Sequence, residues 1–279
     1  MKFTKMEGTG NDYVYVDGSR EKVSDPSRLA VRISDRHFGV GADGLILILP
    51  SAKADARMEM YNADGSRGEM CGNGIRCVAK YVYDRGIARK EDLRIETDAG
   101  VKDLRVFATS GVVTRVRVNM GRPELERRNI PMKGPAGRVV GEPLAALDRT
   151  FRVTAVNMGN PHCVSFIEDV DAFDLAKYGP AVERHASFPA RVNAEFAEVV
   201  DRSHLKVRVW ERGSGETLAC GTGACAACVA GVLSDLTARA VTVHLPGGDL
   251  EVEWSEAADA VLMTGSAREV FTGDWPTPE

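Results

Sequence analysis

Two stretches of the chain alternate apolar and polar residues over seven positions, TRVRVNM at 114–120 and LKVRVWE at 205–211. A period of two places one set of side chains on a buried face and the other in solvent, so both stretches are predicted to be half-buried strands. LRIETDAGVKDLRVFA (93–108) and VTVHLPGGDLEVEW (241–254) each predict two strands joined by a turn that contains glycine.

Two helices are predicted, each directly after a cysteine. In GNGIRCVAKYVYDRG (72–86) the helical period places on one face Ile75, Val78, Ala79 and Val82. Gly86 is a suitable C-terminal stop for this helix. GTGACAACVAGVLSDL (221–236) is rich in small residues and apolar nearly all round, which predicts a fully buried helix.

The two cysteine motifs belong to an internal repeat with a constant offset of 149 residues. This offset carries Cys71 onto Cys220 and Asn11 onto Asn160. It also relates Asn62 to Glu211, Gly65 to Ser214, Gly72 to Gly221, Gly74 to Gly223 and Gly44 to Asn193. Several motifs in one order and register indicate a duplicated domain. The boundary is predicted near the Pro-, Gly- and charge-rich segment that begins at residue 121, which gives domains 1–120 and 121–266.

Composition excludes several classes of protein. The chain has 279 residues, 44% hydrophobic and 27% charged, as in an ordinary globular protein of about two domains. A net charge of −4 without a basic run argues against nucleic acid or an anionic membrane as a partner. The N-terminus lacks the apolar core of a secretory signal, and runs such as LILIL at 45–49 are strand-sized, so a cytoplasmic protein without membrane spans is expected.

The six cysteines are too few for a disulfide scaffold, and any one of them alone could be a small buried apolar residue. Two alternatives to catalysis start from these residues. The CAAC sequence at 225–228 has the spacing of a thiol–disulfide oxidoreductase, but it lies inside the predicted buried helix. Cys220, Cys225 and Cys228 could begin a zinc module, but a second pair of ligands is missing. Cys77, Cys225 and Cys228 are therefore interpreted as packing residues.

A cysteine just before a helix lies beside backbone N–H groups that lack intrahelical partners and carry partial positive charge. These groups stabilise a thiolate, which is expected to lower the thiol pKa, and they can hold a carboxylate. One such site suggests a nucleophile, but no histidine stands in a suitable relation to either cysteine. His162, whose counterpart is Tyr13, is expected to be structural or a wall of the site.

Two equivalent cysteines suggest a different chemistry. If the halves face each other, one thiolate can remove a proton from a carbon and the opposed thiol can return one to the other face. Such a two-base racemase or epimerase needs no metal or organic cofactor. No P-loop or dinucleotide fingerprint is present, so no cofactor is expected.

The motifs GTGNDY, GADGLI, YNADGSRGEMCGNGIRC, NMGNPHCV, RVNAEF and WERGSGETLACGTGACAA together resemble the diaminopimelate epimerase family, in family order and as far as about residue 270. Proline racemases share the two-cysteine logic but carry a Cys-Gly-His-Gly context where this chain reads Cys71-Gly72-Asn73-Gly74. The resemblance implies pyridoxal-independent interconversion of LL- and meso-diaminopimelate, on the route to lysine and peptidoglycan. A related racemase acting on another amino acid is the alternative.

The resemblance also implies site residues. Cys71 and Cys220 would be the acid–base pair, and the backbone at Gly72–Asn73 and Gly221–Thr222 would bind the reacting carboxylate. Residues that would hold the amino and carboxylate groups of the substrate are Asn11, Asn62, Asn160, Asn193, Glu211 and Arg212. A surface charge is the alternative role for Arg212, and turn formation is the alternative for each asparagine.

The implied fold is α+β, with two pseudo-symmetric β-barrel-like domains that each wrap around a central helix and an active site in the cleft between them. Residues 267–279 would return to the first domain, and the protein would be a homodimer. One departure is Gly44, because some family members carry a glutamine there. The sequence does not assign either thiol to one stereoisomer, because both have nearly the same local context.

Overall fold

A computed structural model describes residues 1–276 of the chain. Within these residues the helices are α1 (Pro26–Ser34), α2 (Gly72–Asp84), α3 (Leu175–Glu183) and α4 (Gly221–Leu233), with a 3-10 turn at Arg127–Asn129. The strands are β1 (Lys2–Gly8), β2 (Asn11–Asp17), β3 (Gly44–Leu49), β4 (Ala56–Asn62), β5 (Arg67–Gly68), β6 (Asp92–Thr97), β7 (Gly100–Thr109), β8 (Val112–Gly121), β9 (Glu142–Ala146), β10 (Arg149–Asn157), β11 (Pro161–Phe166), β12 (Asn193–Asp201), β13 (His204–Glu211), β14 (Gly215–Thr217), β15 (Ala240–Leu245), β16 (Gly248–Ser255), β17 (Ala260–Ser266) and β18 (Arg268–Asp274).

The secondary structure predicted from the periodicity is confirmed. The two alternating stretches lie in β8 and β13, and the two glycine-containing hairpins are β6–β7 and β15–β16. Both predicted helices begin at the residue after their cysteine, and α2 ends just before Gly86, which has a φ of +72°. Glycine adopts this left-handed conformation without steric cost, so it ends the helix as expected.

The chain forms two compact units. The first holds residues 1–119 together with residues 264–276, and the second holds Met120–Met263. The last three residues of the segment 267–279, which is expected to return to the first domain, lie outside the described residues. The chain leaves the first unit within β8 and returns to it within β17.

In the first unit most neighbouring strands are antiparallel, but β2–β3 and β4–β6 are parallel pairs. A parallel connection must cross the sheet face, and α1 and α2 make these two crossings. Helix α2 packs against β1, β2, β4, β6 and β7, so strands surround it. A core cluster that includes Val14, Ile33 and Leu45 lies under α1.

The second unit repeats this arrangement. Its parallel pairs are β11–β12 and β13–β15, and the crossings are made by α3 and α4. Helix α4 packs against β10–β13, β15 and β16, and its alanines, glycines and cysteines are buried on all sides. The prediction of a fully buried helix is confirmed, as is the prediction of an α+β fold with a central helix in each half.

Strand register preserves the 149-residue offset. Tyr13 on β2 lies opposite Gly44 on β3, and His162 on β11 lies opposite Asn193 on β12. Because side chains alternate between the faces of a strand, this shared register places repeated residues on the same face in both units.

Candidate active site

Cys71 is the N-cap residue of α2. Its backbone is extended (φ −129°, ψ 120°), and its sulfur accepts a hydrogen bond from the backbone N–H of Gly74 at 3.3 Å. The thiol in turn donates to the side-chain oxygen of Asn11, also at 3.3 Å. The first turn of α2 and the start of β2 therefore meet at this sulfur.

Cys220 has the same position at the start of α4. Its backbone is again extended (φ −112°, ψ 108°), and its sulfur accepts from the N–H of Gly223 at 3.4 Å. The sulfur also lies 3.5 Å from the hydroxyl of Thr222. Cys220 is only 6% exposed. Each unit thus caps its central helix with a cysteine, as predicted.

The pKa of Cys220 differs from the expectation. Burial raises it well above the ordinary value of 9.0, and the nearby carboxylates of Glu211 and Glu195 raise it further. Hydrogen bonds from Thr222 and the Gly223 N–H act in the opposite direction but are outweighed. The prediction that the helix N-terminus would lower the thiol pKa is therefore wrong for Cys220, because desolvation and like charge are larger effects.

The first unit places two predicted asparagines differently. Asn11 begins β2, and its side-chain NH₂ donates to Oδ2 of Asp43 at 2.6 Å. Asn62 ends β4 opposite Gly44, and its NH₂ donates to the hydroxyl of Ser66 at 2.9 Å. Asn11 therefore contacts the Cys71 thiol directly, whereas Asn62 lies two strands away from β2.

Gly72 and Asn73 form the start of α2 and are held by a buried arginine. Nη1 of Arg76 donates to the Gly72 carbonyl at 3.2 Å and to the Asn73 side-chain oxygen at 2.9 Å. Arg76 also donates to the Thr9 hydroxyl at 2.8 Å and to the Ser266 carbonyl at 3.1 Å. This fully buried guanidinium fixes the helix start beside Cys71.

In the second unit Asn193 and Arg212 are directly linked. The Asn193 side-chain oxygen accepts from the backbone N–H of Arg212 at 2.8 Å, and its NH₂ donates to the Pro161 carbonyl at 3.0 Å. The Arg212 guanidinium donates to the Ala190 carbonyl at 3.2 Å and is exposed. Asn193 is only 3% exposed, so a buried amide fixes the backbone from which Arg212 projects.

Glu211, the last residue of β13, accepts from the Thr217 hydroxyl at 2.6 Å. Its charge acts on Cys220, so it lies on the thiol side of the unit. Gly221 and Thr222 open α4, and Asn160 precedes β11, where its side-chain oxygen lies 2.9 Å from Nε2 of His162. The second unit thus gathers its predicted residues around the start of α4 and the adjoining strand ends.

His162 is fully buried, with Nδ1 2.6 Å from Oε1 of Glu195. Burial raises the pKa of Glu195, while the imidazole opposes this change. Glu195 also lies close to the thiol, since a Cβ added to Gly223 would be 2.9 Å from its Oε1 and 3.3 Å from the sulfur of Cys220. Only glycine allows this approach. This burial agrees with the expectation that His162 is structural or a wall of the site rather than a catalytic base.

Sequence reasoning missed Asp43 and Glu195. Each is the hydrogen-bond partner of a side chain in a repeated motif. A signal was available for Glu195, because it is an acidic residue in the middle of the apolar strand NAEFA. Asp43 lies in the GADG turn and carried no comparable signal.

Gly44 is required by the local backbone. A Cβ at this position would lie 2.1 Å from the Tyr61 carbonyl oxygen and 2.8 Å from the Tyr13 ring. The backbone of this chain therefore excludes a side chain where some family members carry glutamine.

The oxidoreductase and zinc alternatives find no support. Cys77, Cys225 and Cys228 are fully buried and lie inside α2 and α4, away from the helix starts. Burial raises the pKa of Cys77 to about 11 and that of Cys228 to about 12, and no helix N-terminus acts on either thiol. Across residues 1–276 no group of three or more His, Cys, Asp or Glu side chains is arranged to hold a metal ion.

Comparison with known proteins identifies relatives of this chain. The sequence profile described as diaminopimelate epimerase matches residues 3–126 and 154–270. A curated diaminopimelate epimerase from Pelotomaculum thermopropionicum is 56% identical over 278 residues, with 99% of each chain covered.

Solved structures share the fold at lower identity. A phenazine biosynthesis protein of the PhzF family from Bacillus anthracis matches with a TM-score of 0.71 and 16% identity, covering 99% of each chain. A probable proline racemase from Agrobacterium radiobacter matches with a TM-score of 0.70 and 16% identity, covering 99% of this chain and 93% of that one. With a family profile spanning most of its length and a relative of this similarity, the chain belongs to the diaminopimelate epimerase family.

Proposed function

We propose that this protein is an isomerase that interconverts LL- and meso-2,6-diaminopimelate without a cofactor, in the synthesis of lysine and peptidoglycan precursors. Membership of the family supports the reaction and the substrate. The observation that carries the mechanism is the repeated cap: Cys71 and Cys220 each accept a hydrogen bond from the third N–H of an equivalent helix.

The proposed reaction is an inversion by two bases. A thiolate removes the proton from the α-carbon, and the electron pair is left on a carbanion conjugated with the carboxylate. The opposed thiol then delivers its proton to the other face of that carbon. Each turnover leaves the first cysteine protonated and the second ionised, so the proton count balances. This inversion requires that the two thiols act on opposite faces of the same carbon.

The helix starts are suited to the carboxylate. Backbone N–H groups at Gly72–Asn73 and Gly221–Thr222 carry partial positive charge and face the region of each thiol. Donors aimed at developing negative charge are each worth about 10²–10³ in rate in other enzymes. The hold of Arg76 on Gly72 and Asn73 supports such a role, because it fixes the donors before the substrate arrives.

The remaining polar groups suit a substrate with charged ends. Arg212 supplies a permanent cation with a planar fork for a carboxylate, and Glu211 can accept from an ammonium group. The side chains that we assign to the substrate in addition are Asn11, Asn62, Asn160 and Asn193.

The pKa of Cys220 bears on its role in the reaction. Burial and two carboxylates raise this pKa, which favours the protonated thiol and suits Cys220 to the proton-donating step.

The location and oligomeric state of the enzyme are also inferred. Among residues 1–276 no helix has the length and apolar character required to cross a membrane. We infer a cytoplasmic homodimer that acts on a small molecule, as the family resemblance implies.

Loss of the α-proton signal in deuterated water tests the function. Wild-type protein with LL- or meso-diaminopimelate should exchange the α-proton, and Cys71→Ala and Cys220→Ala should each abolish net epimerisation. Cys228→Ala is a matched control, because this thiol is buried inside α4 and should not be needed. Exchange that survives both active-site substitutions would refute the mechanism, and a panel of other amino acids tests the substrate.

A further inference from the structure

The repeated asparagines Asn11 and Asn160 are held by opposite ends of their side-chain amides. In the first unit the NH₂ of Asn11 donates to Asp43, which leaves its oxygen facing the Cys71 thiol. In the second unit the oxygen of Asn160 lies 2.9 Å from Nε2 of His162. An amide oxygen only accepts, so His162 is the donor and the NH₂ of Asn160 is turned away from the ring.

The carboxylates behind these contacts are not related by the repeat. The 149-residue offset carries Asp43 onto Val192 and carries Glu195 back onto Ile46, both apolar. Asp43 contacts its asparagine directly, whereas Glu195 acts through the imidazole. The two units therefore orient equivalent asparagines with carboxylates that lie at different positions of the repeat.

We propose that Asp43 is a positioning residue for the reaction, because it fixes Asn11 with its oxygen toward Cys71, while the His162–Glu195 pair fixes Asn160 with its NH₂ available. Asn11 then presents an acceptor and Asn160 presents a donor. A zwitterionic amino acid requires both kinds of partner, and two asparagines held alike would supply only one. This inference rests on the proposed function for the role of the asparagines toward substrate.

Asp43 is itself held firmly. Its Oδ2 accepts from the backbone N–H of Asp12 at 3.1 Å, in addition to Asn11. Its Oδ1 accepts from Nη2 of Arg36 at 2.9 Å, and Arg36 also binds Asp12 at 2.8 Å. With both oxygens occupied, the carboxylate cannot rotate away from Asn11.

The orientation of the Asn11 amide also affects the ionisation of Cys71 when no substrate is bound. A thiol that donates to a fixed oxygen is stabilised in its neutral form, which opposes ionisation. Without Asp43 the Asn11 amide can rotate and offer its NH₂ to the sulfur, which favours the thiolate. The rate of Cys71 alkylation by iodoacetamide should then rise at lower pH than in the wild type.

Other titratable groups around Cys71 stay constant in this range. Burial raises the pKa of Tyr13 and Tyr15 well above 10.0 and that of Cys77 to about 11, so all three are neutral at pH 6–9. Arg76 stays cationic at every pH in this range. The direct charge of Asp43 remains as a second influence, and the experiment must separate it.

A double-mutant cycle separates the two influences. Asp43→Ala, Asn11→Ala and the double variant are compared by the pH profile of Cys71 alkylation and by kcat/KM for α-proton exchange. If Asp43 acts through Asn11, Asp43→Ala lowers kcat/KM by about 10- to 100-fold in the wild-type background and has little effect when Asn11 is already absent. The same cost in both backgrounds would overturn the inference.

Asp55→Ala is the matched control. Asp55 accepts from the backbone N–H of Arg94 at 2.8 Å and pairs with Lys90 at 2.9 Å, but it holds no asparagine. Asp55→Ala should keep kcat/KM within about twofold of the wild-type value and leave the pH profile of Cys71 alkylation unchanged. If Asp43→Ala does not fold, the isosteric Asp43→Asn takes its place, because one amide oxygen cannot serve both Asn11 and Arg36. If wild-type protein fails to exchange diaminopimelate, the proposed function fails, whereas the alkylation cycle still decides the orientation.

Discussion

Glu195 and His162 are hydrogen-bonded across a 2.6 Å contact between Oε1 and Nδ1, and both side chains are fully buried. The second oxygen of Glu195 has no hydrogen-bond partner within residues 1–276. The carboxyl therefore depends on the imidazole, because a buried acid without a partner is costly to keep charged.

His162→Ala should lower the free energy of unfolding by about 3–5 kcal/mol, because it leaves Glu195 buried without its partner. Urea unfolding at neutral pH measures the change. Adding Glu195→Gln to His162→Ala should recover part of the loss. His204→Ala is the control, since His204 pairs with Asp201 at the surface and should cost less than about 1 kcal/mol. If the losses of unfolding free energy in the two single variants simply add in the double variant, Glu195 does not depend on His162.

Alkylation of Cys220 should increase with pH only above its ordinary pKa of 9.0. A raised pKa means that the thiol is retained as the pH rises through 9, so the reactive thiolate appears later than in an unfolded chain. Peptide mass spectrometry after iodoacetamide treatment of a Cys71→Ser variant measures this profile.

Removing either nearby carboxylate, by Glu211→Gln or Glu195→Gln, should shift the Cys220 profile to lower pH. Glu216→Gln provides a control, because this residue is exposed and pairs with Arg208. A Cys220 profile that is already half-complete at pH 7 would show that the helix N-terminus outweighs burial after all.

Asn193→Ala should weaken substrate binding through Arg212. The amide of Asn193 holds the backbone N–H of Arg212, and its loss frees the segment that carries the guanidinium. We expect KM for diaminopimelate to rise about tenfold with a smaller change in kcat. Arg212→Lys should raise KM by about 10- to 100-fold, because a hydrogen-bonded charge is worth about 1.5–3 kcal/mol. Arg202→Lys, at an exposed pair with Asp235, should leave KM unchanged.

Mild oxidation should join Cys71 and Cys220 in a disulfide and abolish activity, and a reductant should restore it. The prediction follows from the proposed mechanism, in which both thiols act on one substrate carbon, since a disulfide requires Cα atoms within about 7 Å. Peptide mapping of the oxidised protein identifies the bond. Full activity after oxidation, or a disulfide at other cysteines, would contradict the proposed two-thiol mechanism.

Much of the fold could be predicted because its signals are local and repeated. The alternation at 114–120 and 205–211, and the cysteine before each helix, depend only on neighbouring residues and matched the structure. The constant offset then related two units that the strand register also relates.

The raised pKa of Cys220 could not be predicted, because it results from burial and from two carboxylates on separate strands. The role of Asp43 could not be predicted for a similar reason. Its contact with Asn11 joins a turn to a strand start 32 residues earlier, and no periodicity connects them. Long-range contacts between polar side chains leave little trace in a single sequence.

The pairing of β1 with β18 constrains the order in which the protein folds during synthesis. Lys2 lies opposite Asp274, so β1 leaves the ribosome long before the strand β18 with which it pairs. Every strand of the second unit is available once β17 has emerged, whereas the first unit keeps an unpaired sheet edge until β18 has emerged. The unpaired N–H and C=O groups of an open sheet edge can pair with strands of other chains. We therefore expect stalled nascent chains of this protein to contain a finished second unit and to need chaperones for the first.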